Sequence, residues 1–177
     1  MEIKRDVYLD RLIVRKHNGL IKVITGIRRS GKSYLLNTLF YRHLIAENIS
    51  EDHIIKFAFD SAEDLLKIGE DPIVLDNEKE DRKVDPSKFI NWLMPQIKGD
   101  GMYYLLLDEV QKLGAFESVL NGFLRRENLD VYVTGSNSKF LSKDVLTEFR
   151  GRGDEVHVLP LSFSEYYAFK QGDKSEA

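Results

Sequence analysis

Residues 20–33 read Leu20-Ile21-Lys22-Val23-Ile24-Thr25-Gly26-Ile27-Arg28-Arg29-Ser30-Gly31-Lys32-Ser33, and they are the most informative part of the chain. An apolar run of strand length leads into a turn that contains two glycines and is followed by lysine and serine. Glycine lets the backbone wind tightly around a ligand, and the amides of a following helix attract negative charge. The stretch therefore predicts a phosphate-binding loop between a strand and a helix.

The loop residues have distinct predicted roles, although most of the cradle is backbone. The Lys32 ammonium can reach the β and γ phosphates of a nucleoside triphosphate, and the Ser33 hydroxyl can coordinate the Mg²⁺ that bridges them. We expect the side chains of Arg28 and Arg29 to face solvent or a partner. The residues predicted to surround the nucleotide are Gly26, Ile27, Arg28, Arg29, Ser30, Gly31, Lys32, Ser33 and Tyr34.

The helix that should follow this loop is also visible in the sequence. At average residue frequencies, an accidental match to the loop pattern would occur in about one chain in a hundred. A glycine turn that binds nothing is the alternative, and the helical periodicity after the loop makes it less favoured. The apolar residues with that periodicity are Leu35, Leu36, Leu39, Phe40 and Leu44.

A second strand-length apolar run, residues 102–107, ends in an acidic pair. Such a run is typical of a central parallel strand that is covered on both faces. At its end, Asp108 would hold Mg²⁺ directly or through water, and Glu109 would orient and deprotonate the water that attacks the γ phosphate. A strand that simply enters an acidic turn is the alternative, and the upstream loop argues against it.

Two further groups of polar residues are weaker candidates. Ser136 and Asn137 follow a predicted strand at residues 129–133 and could sense the γ phosphate, although Thr-Gly-Ser-Asn is also an ordinary turn. Arg150 and Arg152 could stabilise charge on the transferring phosphoryl group, in their own molecule or in a neighbour's site. We prefer Arg152, and surface arginines beside a glycine turn are an equal alternative.

Composition sets limits on the class of protein. The chain has 177 residues, 42% of them hydrophobic, which suits one α/β domain with a proper core. A net charge of −3 argues against a surface built for unspecific nucleic-acid binding. No cysteine is present, no apolar run reaches membrane-spanning length, and the first residues are charged. We therefore expect a cytoplasmic protein without a membrane partner.

Strand and helix patterns alternate along the chain, which predicts an α/β fold. Residues 61–85 are strongly charged and are expected to form a solvated insertion with a helical turn around Leu65 and Leu66. We expect residues 1–170 to form the core and residues 171–177 to form a disordered tail. Other predicted strands are residues 53–59 and 155–159, and other predicted helices are residues 3–14, 115–127 and one that starts at Pro86.

Five segments of the chain together form a recognisable pattern: residues 26–33, Leu105-Leu106-Leu107-Asp108-Glu109-Val110-Gln111, Thr134-Gly135-Ser136-Asn137, Gly151-Arg152 and Pro160-Leu161-Ser162-Phe163-Ser164-Glu165-Tyr166. In these segments the chain resembles the prokaryotic AAA+-like ATPases, and more narrowly the family whose AAA domain is normally followed by a C-terminal domain of uncharacterised function. The resemblance implies a three-layer P-loop NTPase sandwich with a central parallel sheet in the order 5-1-4-3-2, ATP as the nucleotide, Ser136 or Asn137 as a sensor, and Arg152 as a finger.

The family's helical lid and C-terminal domain have no counterpart in this sequence, so full activity is not assumed. The leading hypothesis is Mg-dependent ATP hydrolysis that passes the nucleotide state to a missing domain or partner. A nucleotide-dependent binding switch with little turnover is the alternative. A small-molecule kinase and a GTPase are disfavoured, the latter because no Asn-Lys-x-Asp motif occurs. Self-association stays open, as does nucleic-acid binding through Arg125, Arg126, Lys139 and Lys143, which a solvated helix face also explains.

Overall fold

The computed structural model describes residues 3, 5–75, 82–135, 149 and 151–172. At its centre lies a five-stranded sheet with the strand order β2-β3-β4-β1-β5, in which all neighbouring strands are parallel. Read from the other edge, this is the order 5-1-4-3-2, so the expected fold is confirmed. The strands are β1 Ile21–Thr25, β2 Ile54–Ala58, β3 Tyr103–Asp108, β4 Leu129–Thr134 and β5 Gly153–His157.

Helices lie before, between and after the strands along the chain. The helix after the phosphate loop, α2, is α-helical at Lys32–Tyr34, π-helical at Leu35–Phe40 and α-helical again at Tyr41–Ala46. Among the described residues, none of the helices has the length and apolar character that a membrane span requires. The other helices are α1 Asp6–Ile13, α3 Ala62–Lys67, α4 Pro72–Leu75, α5 Pro86–Leu93, α6 Phe116–Phe123 and α7 Phe163–Gly172, with short 3₁₀ turns at Glu51–His53, Met94–Gln96 and Val110–Lys112.

The core forms three layers because both faces of the central strands are apolar. Every residue of β1, β3 and β4 is buried, as a continuous apolar run predicts. On one face the strands pack against α5 and α6, and on the other they pack against α1 and α2. The phosphate loop therefore leaves a strand whose position is fixed from both sides.

The described parts of the charged stretch, residues 61–75 and 82–85, contact the core more than a solvated insertion would. Leu65 and Val84 are buried in the core, whereas Leu66 is exposed. Val84 also forms a bridge with Leu113, and its carbonyl accepts a hydrogen bond of 2.9 Å from the Gly114 N–H. Apolar residues scattered among charges carry little periodicity, so the sequence did not reveal these contacts.

A buried ion pair fixes the amino end of the sheet. The Lys22 side chain on β1 is fully buried and pairs with Asp130 on β4. Asp130 also accepts hydrogen bonds of 2.8 Å from the Tyr132 hydroxyl and 3.1 Å from the His17 N–H. Because a buried charge is costly unless it is fully paired, this network favours the observed register of β1 and β4.

Candidate functional site

The phosphate loop, residues 26–31, has a backbone shape that requires both of its glycines. Gly26 has φ of 143°, and a Cβ atom there would lie 2.3 Å from the Val158 carbonyl oxygen. Gly31 has φ of 90°, and a Cβ atom there would lie 3.2 Å from Nη1 of Arg5. Both φ values are unfavourable for residues with side chains, and at Gly26 the Val158 carbonyl also leaves no space for a Cβ atom. The loop therefore packs closely against Val158, which directly follows β5.

Lys32 is the first residue of α2, and its side chain folds back over the loop. Its buried Nζ donates hydrogen bonds of 3.0 Å to the Gly26 carbonyl and 2.9 Å to the Ile27 carbonyl. Burial lowers the pKa of Lys32, and the charges of Glu109 and Asp108 oppose that effect. The ammonium group thus lies at the loop, within electrostatic reach of both predicted carboxylates.

Asp108 is the last residue of β3, and three side chains donate to its carboxylate. Oδ1 accepts a hydrogen bond of 3.0 Å from the Ser33 hydroxyl and another from Thr134, while Oδ2 accepts one of 3.1 Å from Asn37. Burial raises the pKa of Asp108 because it outweighs the bonds from Thr134 and Ser33, and the charges of Asp60 and Glu109 act in the same direction as burial. Two oxygen atoms of the kind that Mg²⁺ prefers, from Ser33 and Asp108, therefore meet beside the loop.

Glu109 adopts a strained backbone conformation directly after β3. Its φ of 53° lies in the left-handed region, which is uncommon for a residue other than glycine. Its N–H donates a hydrogen bond of 3.0 Å to the Thr134 hydroxyl, and its carboxylate accepts one from Nε2 of Gln111. Gln111 is 8% exposed, and its Oε1 has no hydrogen-bond partner among the described residues. The carboxylate of Glu109 is therefore directed by a buried amide.

Sequence reasoning missed four side chains at this site. Asn37 lies four residues after Ser33 in α2, so helical spacing could have placed it beside the predicted metal ligand. It lies in the π-helical part of α2, and such irregular turns are frequent at functional sites. Thr134 and Gln111 lay within quoted segments, yet neither received a role. Arg5 gave no local signal at all.

The other predicted residues lie at varied positions. The side chains of Ile27, Arg28 and Arg29 are exposed, Ser30 is buried and Tyr34 is half-buried. The exposure of the two arginines agrees with the expectation that they face solvent or a partner. Three candidates, Ser136, Asn137 and Arg150, lie outside the described residues.

Arg152 lies at the amino ends of the strands, whereas the phosphate loop lies at their carboxyl ends. Its carbonyl accepts a hydrogen bond of 2.8 Å from the N–H of Ile21, the first residue of β1, whereas the loop follows the last residue of β1. Five residues of strand separate these points by about 16 Å. Arg152 lines an open cavity of about 700 Å³ together with Arg125 and Glu117. Its position does not allow contact with phosphates bound in its own molecule.

A parallel sheet of this order, with a glycine loop after β1 and a buried carboxylate at the end of β3, defines the class of P-loop nucleoside triphosphatases. Within that class, residues 18–167 match the family model described as an AAA domain. The chain belongs to this AAA domain family and is an AAA+-like P-loop ATPase domain.

Two longer proteins are similar in sequence to almost the whole of this chain. An uncharacterised protein of Haemophilus influenzae is 35% identical over 173 residues, which are 97% of this chain and 39% of the relative. An uncharacterised protein of Methanocaldococcus jannaschii is 32% identical over 175 residues, which are 95% of this chain and 32% of the relative. The chain thus spans less than two fifths of either relative.

Solved structures confirm the fold at low sequence identity. Cdc6p from Pyrobaculum aerophilum superposes with a TM-score of 0.55 and 15% identity, covering 94% of this chain and 48% of that protein. DnaA from Aquifex aeolicus, solved with bound AMPPCP, gives a TM-score of 0.53 and 18% identity, covering 96% and 49%. Both comparisons show that the chain shares its fold with these two proteins.

Proposed function

We propose that this chain binds Mg·ATP, hydrolyses it to ADP and phosphate, and passes the nucleotide state to a further domain or a partner. The observation that carries the proposal is the meeting of Ser33 and Asp108, whose oxygens lie 3.0 Å apart beside the loop that holds Lys32. Phosphate-binding, metal-binding and general-base functions would then fall to neighbouring residues at the carboxyl ends of β1 and β3.

The residues present fit a magnesium ion. The donors are a hydroxyl and a carboxylate, both hard oxygen ligands, and Asn37 and Thr134 orient the carboxylate from two sides. Ser33 and Asp108 would hold the ion, Asp108 directly or through water. When bound with the nucleotide, Mg²⁺ neutralises charge on the β and γ phosphates.

Lys32 and the loop amides bind the phosphates and stabilise the charge that develops during transfer. Glu109 accepts a proton from water, the water oxygen bonds to the γ phosphorus, and the bond to the bridging oxygen of ADP breaks. Gln111 directs the carboxylate of Glu109 through its Nε2 donor. Ser136 or Asn137 remains the proposed γ-phosphate sensor.

The position of Arg152 supports action in a neighbouring molecule. It lies at the amino ends of the strands, away from the loop, and lines a cavity that is open to solvent, so a second copy could reach it. An arginine that acts in this way stabilises the transferring phosphoryl group only when two copies associate. Self-association therefore belongs to the proposal.

ATP is favoured over GTP because the chain lacks an Asn-Lys-x-Asp motif, and DnaA, one of the similar structures, holds an ATP analogue. The relatives are more than twice as long as the matched segment, which supports transmission of the nucleotide state to another part of the protein. Hydrolysis would then serve to reset that part.

A nucleotide-dependent switch with little turnover is the second candidate. The bond between Gln111 and Glu109 favours it, because a carboxylate engaged by a neighbouring amide is less free to accept a proton from water. In such a switch, ATP occupancy alone controls an interaction.

Steady-state phosphate release and nucleotide binding, measured on the same samples, test both candidates. We expect Lys32→Ala to lose binding and turnover, and Glu109→Gln to bind Mg·ATP normally while turnover falls at least 100-fold. Lys67→Ala and Glu63→Gln, which alter an exposed ion pair on α3, are matched controls and should change neither. Binding without turnover in the parent chain would favour the switch, and absence of binding at millimolar ATP would refute the proposal.

A further inference from the structure

Arg5 is a buried arginine that connects the phosphate loop to two distant segments. It lies just before α1, is 3% exposed, and its Nη1 donates a hydrogen bond of 2.5 Å to the Ser30 carbonyl inside the loop. Its Nη2 donates one of 2.7 Å to the Leu159 carbonyl after β5. Its Nε lies 3.3 Å from Oε1 of Glu165 on α7, as an ion pair. We call these four residues the Arg5 clamp.

Glu165 is itself held firmly at the start of α7. Its Oε2 accepts a hydrogen bond of 2.7 Å from the Ser162 N–H, and its own N–H donates one of 3.2 Å to the Ser162 hydroxyl. This reciprocal pair is a capping box, which fixes the first turn of a helix. Burial alone would raise the pKa of Glu165, but the Ser162 bonds and the Arg5 charge outweigh it and lower the pKa. The residue is therefore an anionic anchor for Arg5.

The contact with Ser30 affects the direction of a loop amide. In a planar trans peptide, the carbonyl of one residue and the N–H of the next point in opposite directions. Because the Ser30 carbonyl is held toward Arg5, the Gly31 N–H points away from Arg5. An inward-facing amide at this position is what a phosphate cradle needs. Arg5 thus supports the loop from behind, without lying among the phosphate contacts.

We propose that Arg5 is a positioning residue that orients the Gly31 amide for phosphate binding and couples nucleotide affinity to the docking of α7 through Glu165. The inference rests on the proposed nucleotide binding and adds a residue and a route of regulation to it. A force that pulls α7 away would remove the anion from Arg5, loosen the Ser30 carbonyl and weaken phosphate binding. By linkage, bound nucleotide would hold α7 in place to the same extent.

A double-mutant cycle tests the coupling. We expect Arg5→Gln to weaken Mg·ADP binding about 10-fold or more, and Glu165→Gln to weaken it about 3- to 10-fold, by calorimetry. The double variant should resemble Arg5→Gln, because the two changes remove one shared contact. Arg5→Lys keeps the charge, but its three donors lie on one nitrogen and cannot reproduce the planar fork of the guanidinium, so its affinity should be intermediate.

The matched control is Arg15→Gln with Asp154→Asn. These changes remove another arginine–carboxylate pair, with Nε 2.9 Å from Oδ1, which joins the turn after α1 to β5. Urea unfolding without nucleotide is measured on every variant. The control pair should lower the free energy of unfolding without changing Mg·ADP affinity in the folded protein. Arg5 variants should change both.

Hydrogen exchange provides a second readout. Saturating Mg·ADP should slow amide exchange in residues 163–172 of the parent and fail to do so in Glu165→Gln. Unchanged Mg·ADP affinity in folded Arg5→Lys and Glu165→Gln, or strictly additive effects in the cycle, would overturn the inference. Should Arg5→Gln not fold, those two variants and the exchange experiment decide the question. Failure of the parent to bind Mg·ADP would refute the proposed function instead.

Discussion

The Thr134 hydroxyl at the end of β4 donates a hydrogen bond to the carboxylate of Asp108 at the end of the neighbouring strand β3. The same hydroxyl oxygen accepts a hydrogen bond of 3.0 Å from the N–H of Glu109. One side chain therefore holds both the proposed metal ligand and the backbone of the proposed base. This arrangement requires the parallel pairing of β3 and β4, which brings the two strand ends side by side.

Replacing Thr134 by valine should lower turnover while nucleotide binding changes little. Valine keeps the shape of threonine but removes the donor to Asp108 and the acceptor for Glu109. The loss of such a supporting contact typically lowers metal affinity or activity roughly 10- to 100-fold. Phosphate release at several Mg²⁺ concentrations measures the effect. The matched control is Thr25→Val, which replaces another buried threonine at the end of a strand, the last residue of β1. Equal turnover in the two variants would contradict this role for Thr134.

Asp108→Asn should stabilise the protein at neutral pH while abolishing turnover. The folded-state pKa of Asp108 is raised, so burial of its ionised form costs stability above that pKa, and the cost disappears as pH falls toward 3.8. At pH 7, each kcal/mol of burial cost that the substitution removes should raise the Tm of the variant above that of the parent by roughly 2–4 °C. At pH 4 the two Tm values should differ little.

Calorimetry without nucleotide or Mg²⁺ at the two pH values measures this difference. Glu63→Gln, an exposed carboxylate on α3, is the control and should leave Tm nearly unchanged at both. A lower Tm for Asp108→Asn at pH 7 would mean that the hydrogen bonds to the carboxylate outweigh its burial.

Gly26→Ala should disrupt the loop, because a Cβ atom would meet the Val158 carbonyl at 2.3 Å and φ of 143° suits glycine alone. We expect loss of nucleotide binding and a clear drop in the urea midpoint. Gly122→Ala on α6 is the control, since nothing lies within 4 Å of its Cβ position. Alanine there should raise stability by up to about 1 kcal/mol. Normal nucleotide affinity in Gly26→Ala would refute the close approach of the loop to residue 158.

Arg152→Ala should lower turnover only where copies of the chain associate. Because Arg152 lies far from the loop of its own molecule, specific activity in the parent should rise with protein concentration, and the variant should lose that rise while ATP affinity stays nearly intact. Mixing Arg152→Ala, whose turnover is lowered, with the inactive Lys32→Ala should restore part of the activity. A rate independent of concentration and of this substitution would exclude a role in trans.

Much of the fold could be predicted because its signals are local. The apolar run of β3 and the glycine loop after β1 each lie within a few residues, and parallel pairing then places Ser33 and Asp108 at the same edge. The strand order and the AAA+-like class, which the family resemblance implied, are confirmed. The roles of Lys32, Ser33, Asp108 and Glu109 stay predictions, supported by their convergence.

The missed features depend on contacts that are distant in sequence. Arg5 meets the Leu159 carbonyl across a separation of 154 residues, and no local pattern marks such a contact. Gln111 is recognisable only when its amide is seen on Glu109. The position of Arg152 relative to the loop follows from the pairing of β1 with β5, which a single strand pattern does not contain.

The Arg5 clamp has a consequence for synthesis of the chain on the ribosome. The loop at residues 26–33 emerges early, but its carboxylate partner comes 75 residues after Ser33 and the clamp closes only with Leu159 and Glu165. Contacts between distant segments form late because closing long loops is entropically costly. A nascent chain would thus acquire nucleotide affinity only after β5 has joined the sheet. Nucleotide, which stabilises what it binds, would then selectively protect completed domains from proteolysis and aggregation.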